Sequence, residues 1–133
     1  MRELPGTAKL GFPWVDVRDV ASAHIAAMTI PEAAGERFCC AIEFAWIGEV
    51  ADILAKRFGP DGWKVPTRKL PAFLVRIVAL FDPTVKVVVS DLGRVRNVSS
   101  ERIRKVLDWK PHSLEEMSVT MGETMIEQGI VSR

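Results

Sequence analysis

The stretch Phe12-Pro13-Trp14-Val15-Asp16-Val17-Arg18-Asp19-Val20-Ala21-Ser22-Ala23-His24-Ile25-Ala26-Ala27-Met28 carries most of the fold information in this chain. Trp14 and Val15 read as a short apolar strand. Asp16 then reads as a helix N-cap, because a short carboxylate side chain accepts from the free amides of a first turn and suits its positive end. Val20, Ala23, His24, Ala27 and Met28 recur at helical spacing, which predicts one buried stripe of small residues. Pro31 and Gly35 end the helix.

Outward from that stretch, residues 1–13 read as loop, punctuated by Pro5, Gly6, Gly11 and Pro13. Residues 37–42 read as a strand buried on both faces, since Phe38, Cys39, Cys40, Ala41 and Ile42 do not alternate with polar residues. A helix is predicted over 47–58, with Ile47, Val50, Ala51, Leu54 and Phe58 on one side and Gly59-Pro60 as its stop. Lys64-Val65-Pro66 reads as an extended edge piece. Pro71 opens a helix to about Phe81. For 83–92 the valines at 85, 87, 88 and 89 favour a strand while Asp82-Pro83 and Gly93 frame a helix, and both readings stand. Asn97-Val98 reads as extended, with Ser99 or Ser100 capping a helix to Leu107. Ser113 with Glu116 is a capping box for a last helix whose inner face is Leu114, Met117, Met121 and Met125, with Gly129 as its stop.

The 133 residues fit a single domain, 1–133, and the 48% hydrophobic and 26% charged content is that of a globular chain rather than a disordered one. Net charge is +1, which argues against a strong pull toward nucleic acid or an acidic membrane. The longest apolar run, 70–81, is interrupted by Pro71 and Arg76 and falls short of the roughly 20 residues a bilayer requires. With no apolar signal core near Met1, the expected location is cytoplasmic. Adjacent Cys39 and Cys40 read as reduced thiols, because neighbouring strand residues do not offer disulfide geometry. No His24 or His112 spacing joins them into a metal site.

Three segments in order carry a family resemblance. Val15-Asp16-Val17-Arg18-Asp19-Val20-Ala21 with Ala23-His24, then Leu107-Asp108-Trp109-Lys110-Pro111, then Ser113-Leu114-Glu115-Glu116 and the helix ending at Gly129-Ile130-Val131 resemble the extended short-chain dehydrogenase/reductases of the NAD-dependent epimerase/dehydratase superfamily. The dihydroflavonol-reductase-like or aldehyde-reductase-like branch is the one they resemble most. Asp108 stands where the family usually has glycine, and aspartate tolerates a left-handed backbone better than most residues. The resemblance spans about Leu4 to Val131 and corresponds to the last two-fifths of such an enzyme.

It implies an α/β fold: a mostly helical substrate-binding lobe with a few short strands, lacking the N-terminal Rossmann half, in which 37–42 would complete the cofactor sheet. It implies a parent that transfers a hydride between NAD(P) and a ketone, aldehyde or alcohol. It implies that the loop before Trp14, with Leu10, Phe12 and Pro13, rims a substrate pocket. It also implies no catalytic, cofactor-binding or metal residue here. The nine glycines never form the family's Gly-rich turn, and the family's catalytic tyrosine, with a lysine four residues on, has no counterpart in a chain without tyrosine. Thr67-Arg68-Lys69-Leu70-Pro71 lacks the Gly-Asp of nucleotide-sugar epimerases, which favours a small carbonyl substrate.

Each polar residue also has a plainer role. Asp16 and Asp19 read as helix caps rather than an acid/base pair, Arg18 as a solvated or salt-bridging residue, His24 as a packed residue on the helix face, and His112 as a surface turn residue. Arg94, Arg96, Arg102, Arg104 and Lys105 interleave with Asp91, Glu101 and Asp108, which speaks against a nucleic-acid surface. An unpaired 37–42 strand leads to the expectation of a homodimer or strand-exchanged oligomer. The alternative function is a free-standing small-molecule-binding or interaction module built from the same lobe.

Overall fold

The computed structural model describes residues 6–131, the side chains of Pro83 and Thr84 excepted, so Leu4 and Pro5 of the expected opening loop lie outside the described residues. The fold is α/β and mostly helical, with one two-stranded antiparallel sheet among the described residues.

β1 (Gly11–Pro13) pairs with β2 (Phe44–Trp46) in the register Gly11↔Trp46, Phe12↔Ala45 and Pro13↔Phe44. The strand therefore lies before Trp14-Val15, where the sequence reading placed it. The backbone explains the shift. Trp14 N–H still donates to Glu43 (3.0 Å) and Ile47 N–H to Leu10 (2.8 Å), so pairing extends over what had read as loop. Gly11 makes this possible: a Cβ there would lie 2.3 Å from the Phe44 ring, which stacks edge-on against Trp46 at 4.9 Å.

α1 (Val17–Thr29) starts at Asp16, whose side chain accepts from Arg18 N–H. Its buried face is not the expected stripe. Asp19 and Ala23 are buried and Ala26 and Ala27 half-buried, whereas His24 is exposed and Met28 is 87% exposed. The helix is rotated because Asp19 is drawn inward by partners from the other end of the chain. The core gathers Ala23, Ala33, Ile103, Leu107 and Trp109, with Val15, Ile30, Phe38 and Cys40 packed against it. Ile103 is fully buried. It sits on α5 (Glu101–Leu107), which Asp108 ends in the left-handed conformation at φ 46°, as its place in the sequence suggested.

The expected strand at 37–42 is the main correction. Phe38 and Cys40 turn onto the core while Arg37 and Cys39 are exposed, so this extended segment is buried on its second side only at Ala41. Among the described residues no backbone–backbone hydrogen bond ends on 37–41. An extended segment becomes a strand only when a neighbour takes up its amides and carbonyls, and in 37–42 only Ile42 has one among the described residues, its N–H donating to the Trp14 carbonyl at 2.7 Å.

α2 (Ile47–Phe58) packs on α6 (Leu114–Glu127), with Gly122 of α6 against the Phe58 ring. The Ser113 capping box is formed: Ser113 Oγ accepts from Glu116 N–H (3.2 Å) and Glu116 from Ser113 N–H (2.8 Å). Met117 and Ser118 are buried on α6, whereas Met121 is exposed, so the inner face is narrower than the methionine spacing predicts. α3 (Ala72–Val78) and α4 (Pro83–Val89) form a helical hairpin, which settles 83–89 as helix, with a turn over 90–93. Its valines find no neighbouring strand, while Lys86 N–H closes a turn onto the Asp82 carbonyl at 3.1 Å. The 64–66 piece is extended without becoming a strand, and the bridge near it forms instead between Lys69 and Thr7. Among the described residues no helix is long and apolar enough to cross a membrane.

Candidate functional site

Strand alternation divides the three expected pocket residues. Phe12 sits opposite Ala45 on one face, and Gly11 and Pro13 share the other with Phe44 and Trp46. Leu10 is buried, Pro13 half-buried, and Phe12 is 39% exposed. Phe12 also meets Trp14 edge-on at 6.2 Å, so the exposed surface at β1 is aromatic. Trp14 is held in turn by its indole N–H, which donates to the Ala45 carbonyl at 3.0 Å.

Just beyond, the two aspartates of α1 are fully engaged. Asp16 is buried and takes Arg18 N–H (2.8 Å), Arg18 Nε (3.0 Å) and Arg18 Nη2 (2.6 Å). The Arg18 hydrogen bond holds the Asp16 carboxyl at about 2, against an ordinary 3.8. Such a group stays ionised and is no proton carrier near neutrality. Asp19, 3% exposed, accepts from His112 N–H (2.9 Å) and meets His112 Nδ1 at 2.6 Å, while its own carbonyl accepts the Trp109 indole N–H at 2.9 Å. Asp19 is thus a bolt between α1 and the 109–112 turn rather than a helix cap.

His112, which reads as a surface turn residue, is the other half of that bolt. Nothing local announces it, since the two residues are 93 apart in the chain. The signal that could have found it is the crowding of Trp109, Pro111 and His112 just before a strongly capped helix. His24, expected to be packed, is exposed with Nδ1 on its own helix carbonyl, Val20, at 2.7 Å.

The basic residues near α5 separate rather than gather. Arg102 pairs with Glu36, Arg96 with Asp91 at 2.6 Å, and Arg104 lies 5.7 Å over the Trp109 ring. Burial raises the Cys40 thiol pKa, with a smaller contribution from neighbouring Cys39. Among the described residues no group of three His, Cys, Asp or Glu could hold a metal ion.

A dinucleotide's pyrophosphate is held by free amides at a helix N-terminus. The chain's own side chains take one first-turn amide on α1, by Asp16, and one on α6, by Ser113, while on α2 Glu49 accepts from Trp46 N–H, ahead of the helix, at 2.7 Å. Open clefts are present among the described residues, two of them well formed. One of about 440 Å³ is lined by Arg57, Phe58, Asp61, Trp63, Glu123 and Ile126, the other by Ser99, Arg102 and Lys105 with their neighbours. Neither is lined by Leu10, Phe12 or Pro13.

No family model and no curated protein matches the sequence. Among solved structures, Gre2 from Candida albicans superposes with a TM-score of 0.67 at 22% identity, over 93% of this chain and 33% of that one. The chain thus spans about a third of the length of the structure it matches, and at this identity the likeness concerns the fold alone.

Proposed function

We propose that this chain is the C-terminal, substrate-side portion of an NAD(P)-dependent oxidoreductase acting on a ketone, aldehyde or alcohol. Cofactor and proton donor are supplied by a further part, and the chain is inactive alone. The observation that carries this reading is the 37–42 segment. It is held on one side by Phe38 and Cys40, and the backbone of 37–41 has no partner among the described residues, as an edge awaiting a sheet would be. The likeness to a third of Gre2 supports it. In this reading Leu10, Phe12 and Pro13 rim the pocket, and Phe12 contributes its accessible surface.

The test is to assay the 133-residue chain with NADPH and an aldehyde, then repeat with an added polypeptide bearing a Gly-rich loop and a Tyr-x-x-x-Lys pair. Turnover only in the mixture is expected, and turnover by the chain alone would overturn the reading. Sequencing upstream of the Met1 codon adds a genetic check, with an in-frame Gly-rich loop as the expected result. The same open edge leads us to propose a homodimer or strand-exchanged oligomer. A monomer by sedimentation velocity at micromolar concentration would count against that.

A second reading, a free-standing small-molecule-binding or interaction module, is favoured by a core that closes within the chain. Among the described residues no buried side-chain polar atom lacks a partner. The two readings part on whether ligand binding depends on nicotinamide: the module binds without it.

A further inference from the structure

Thr7 carries a polar group that the fold leaves unused. The residue is 9% exposed, its N–H donates to the Arg68 carbonyl at 2.8 Å, and its carbonyl accepts from Leu70 N–H at 2.9 Å. Its hydroxyl enters no hydrogen bond among the described residues. A hydroxyl in such a place normally has a partner, because without one it has given up its hydration for nothing. The oxygen is not sealed off, since every sealed side-chain polar atom among the described residues is paired. A ligand can therefore reach it.

The hydroxyl stands against the first turn of α2. Thr7 Oγ1 lies 3.5 Å from the position that a Cβ on Gly48 would take, and no other group outside the helix comes within 4 Å of that position. Glycine thus leaves a notch between the hydroxyl and the helix end. That end has no side-chain cap, because Trp46 at the N-cap carries an indole, which donates and cannot accept. Ile47 N–H is taken by the Leu10 carbonyl at 2.8 Å, and the next amide, of Gly48, has no acceptor among the described residues.

Two cations stand at the same place. Lys9 Nζ lies 5.2 Å from the centre of the Trp46 ring. Lys69 is joined to Thr7 by a parallel bridge, which sets the two side chains on one face. Both lysines are exposed, and neither forms an ion pair among the described residues. A hydroxyl, an amide at the positive end of a helix and two ammonium groups all look for an acceptor, and together they suit an anion. A neutral compound would leave both ammonium charges unmatched, and a carboxylate would match one.

We infer that Thr7, the Gly48 amide, Lys9 and Lys69 form a site for a dianionic phosphate group, carried by a small molecule or free in solution. Nothing in this set of donors depends on the chain being part of an oxidoreductase. Glu49 bounds the site: its carboxylate accepts from Trp46 N–H at 2.7 Å, one residue ahead of the helix, and opposes an anion there. The phosphate therefore sits on the Thr7 side of the turn.

The test titrates the isotope-labelled 133-residue chain with inorganic phosphate, followed by amide NMR at constant ionic strength and about pH 8, where phosphate is a dianion. The Thr7 and Gly48 amide signals are expected to shift saturably. Thr7→Val should weaken binding about tenfold, the loss of one hydrogen bond to a charged group, and Lys9→Met with Lys69→Met by at least as much. Thr7→Ser should retain it, and Glu49→Gln should tighten it by removing the opposing charge. Gly48→Ala fills the notch without threatening the fold, since alanine favours the helix, and should weaken binding too. Shifts that do not saturate in wild type would overturn the site. So would an affinity that Thr7→Val, Gly48→Ala and the double lysine variant all leave unchanged. Acetate binding as tightly as phosphate would overturn the assignment to a dianion. Phenyl phosphate separates the two sources: tighter binding than inorganic phosphate assigns the site to a phosphorylated small molecule, and equal affinity assigns it to the free ion.

Discussion

The α1–α5 core and the α3–α4 hairpin are both helix pairs, yet they end in opposite states. In the core the apolar residues are buried around a fully enclosed Ile103, while on the hairpin Leu80 and Phe81 are 80% and 84% exposed. Apolar content runs the other way, since the hairpin helices are the more apolar pair. Polar anchoring separates them. The core is locked by Asp16 on its own helix start, by Asp19 on His112 and by the Trp109 indole on the Asp19 carbonyl, bonds that fix which way α1 faces. The hairpin has no side-chain cap bond on α3, and its hydrogen bonds to the rest of the chain come just outside its helices, at Leu70 and Gly93. Closing bonds of that kind fix the orientation of the core helices, and the hairpin lacks their counterpart on α3.

The contrast predicts that the largest losses of stability come from polar residues in the core. Asp19→Ala should cost about 3 kcal/mol in urea unfolding, because it leaves the His112 amide and ring and the turn around Trp109 without their acceptor. A loss below about 1 kcal/mol would show that burial alone orients α1. Next comes the α2–α6 contact. A Cβ on Gly122 would sit 2.5 Å from the buried Phe58 ring, so Gly122→Val should cost about 2 kcal/mol by thermal or chemical unfolding even though valine is the better helix former.

A smaller effect should appear with pH. The folded Asp16 carboxyl is held at about 2 against 3.8. Its contribution is therefore complete above about pH 4 and disappears as pH falls through about 2. With Arg18 half-exposed the loss amounts to about 1 kcal/mol. Comparing wild type with Arg18→Met between pH 5 and 2 isolates it. The variant should lack this part of the acid dependence, and identical curves would show that the pair contributes nothing.

The local part of this structure was legible in the sequence. Asp16, the 47–58 helix with its Gly59 stop, the Ser113 box and the left-handed Asp108 all rest on interactions within four residues, which composition and spacing report directly. What escaped was set by distant partners. His112 could not be known to reach Asp19, so the face of α1 was misjudged by a fraction of a turn, and His24 and Met28 emerged on the outside. The 37–42 segment carries a strand's composition, but a strand exists only with its neighbour. At the candidate rim, Leu10, Phe12 and Pro13 could be named from the family resemblance, yet their division between two faces depends on the register with Phe44–Trp46.

The smallest predicted effect is also the one that most sharpens the comparison. Phe81→Ser removes a large aromatic ring, a change that in a packed interior costs several kcal/mol. On the hairpin the ring is 84% exposed, so little packing is lost and the unfolding free energy should change by no more than about 0.5 kcal/mol. Removing exposed apolar surface should instead raise solubility, which is measured by precipitation with ammonium sulfate. A cost of 2 kcal/mol or more would mean that Phe81 is buried in solution, either by the hairpin folding back on the lobe or by a second copy, and sedimentation velocity on the same variant tells those apart. A null effect on stability has the opposite meaning. Seven apolar side chains between Phe73 and Val87 would then be held in water at no benefit to the fold, and their retention has to be explained by binding.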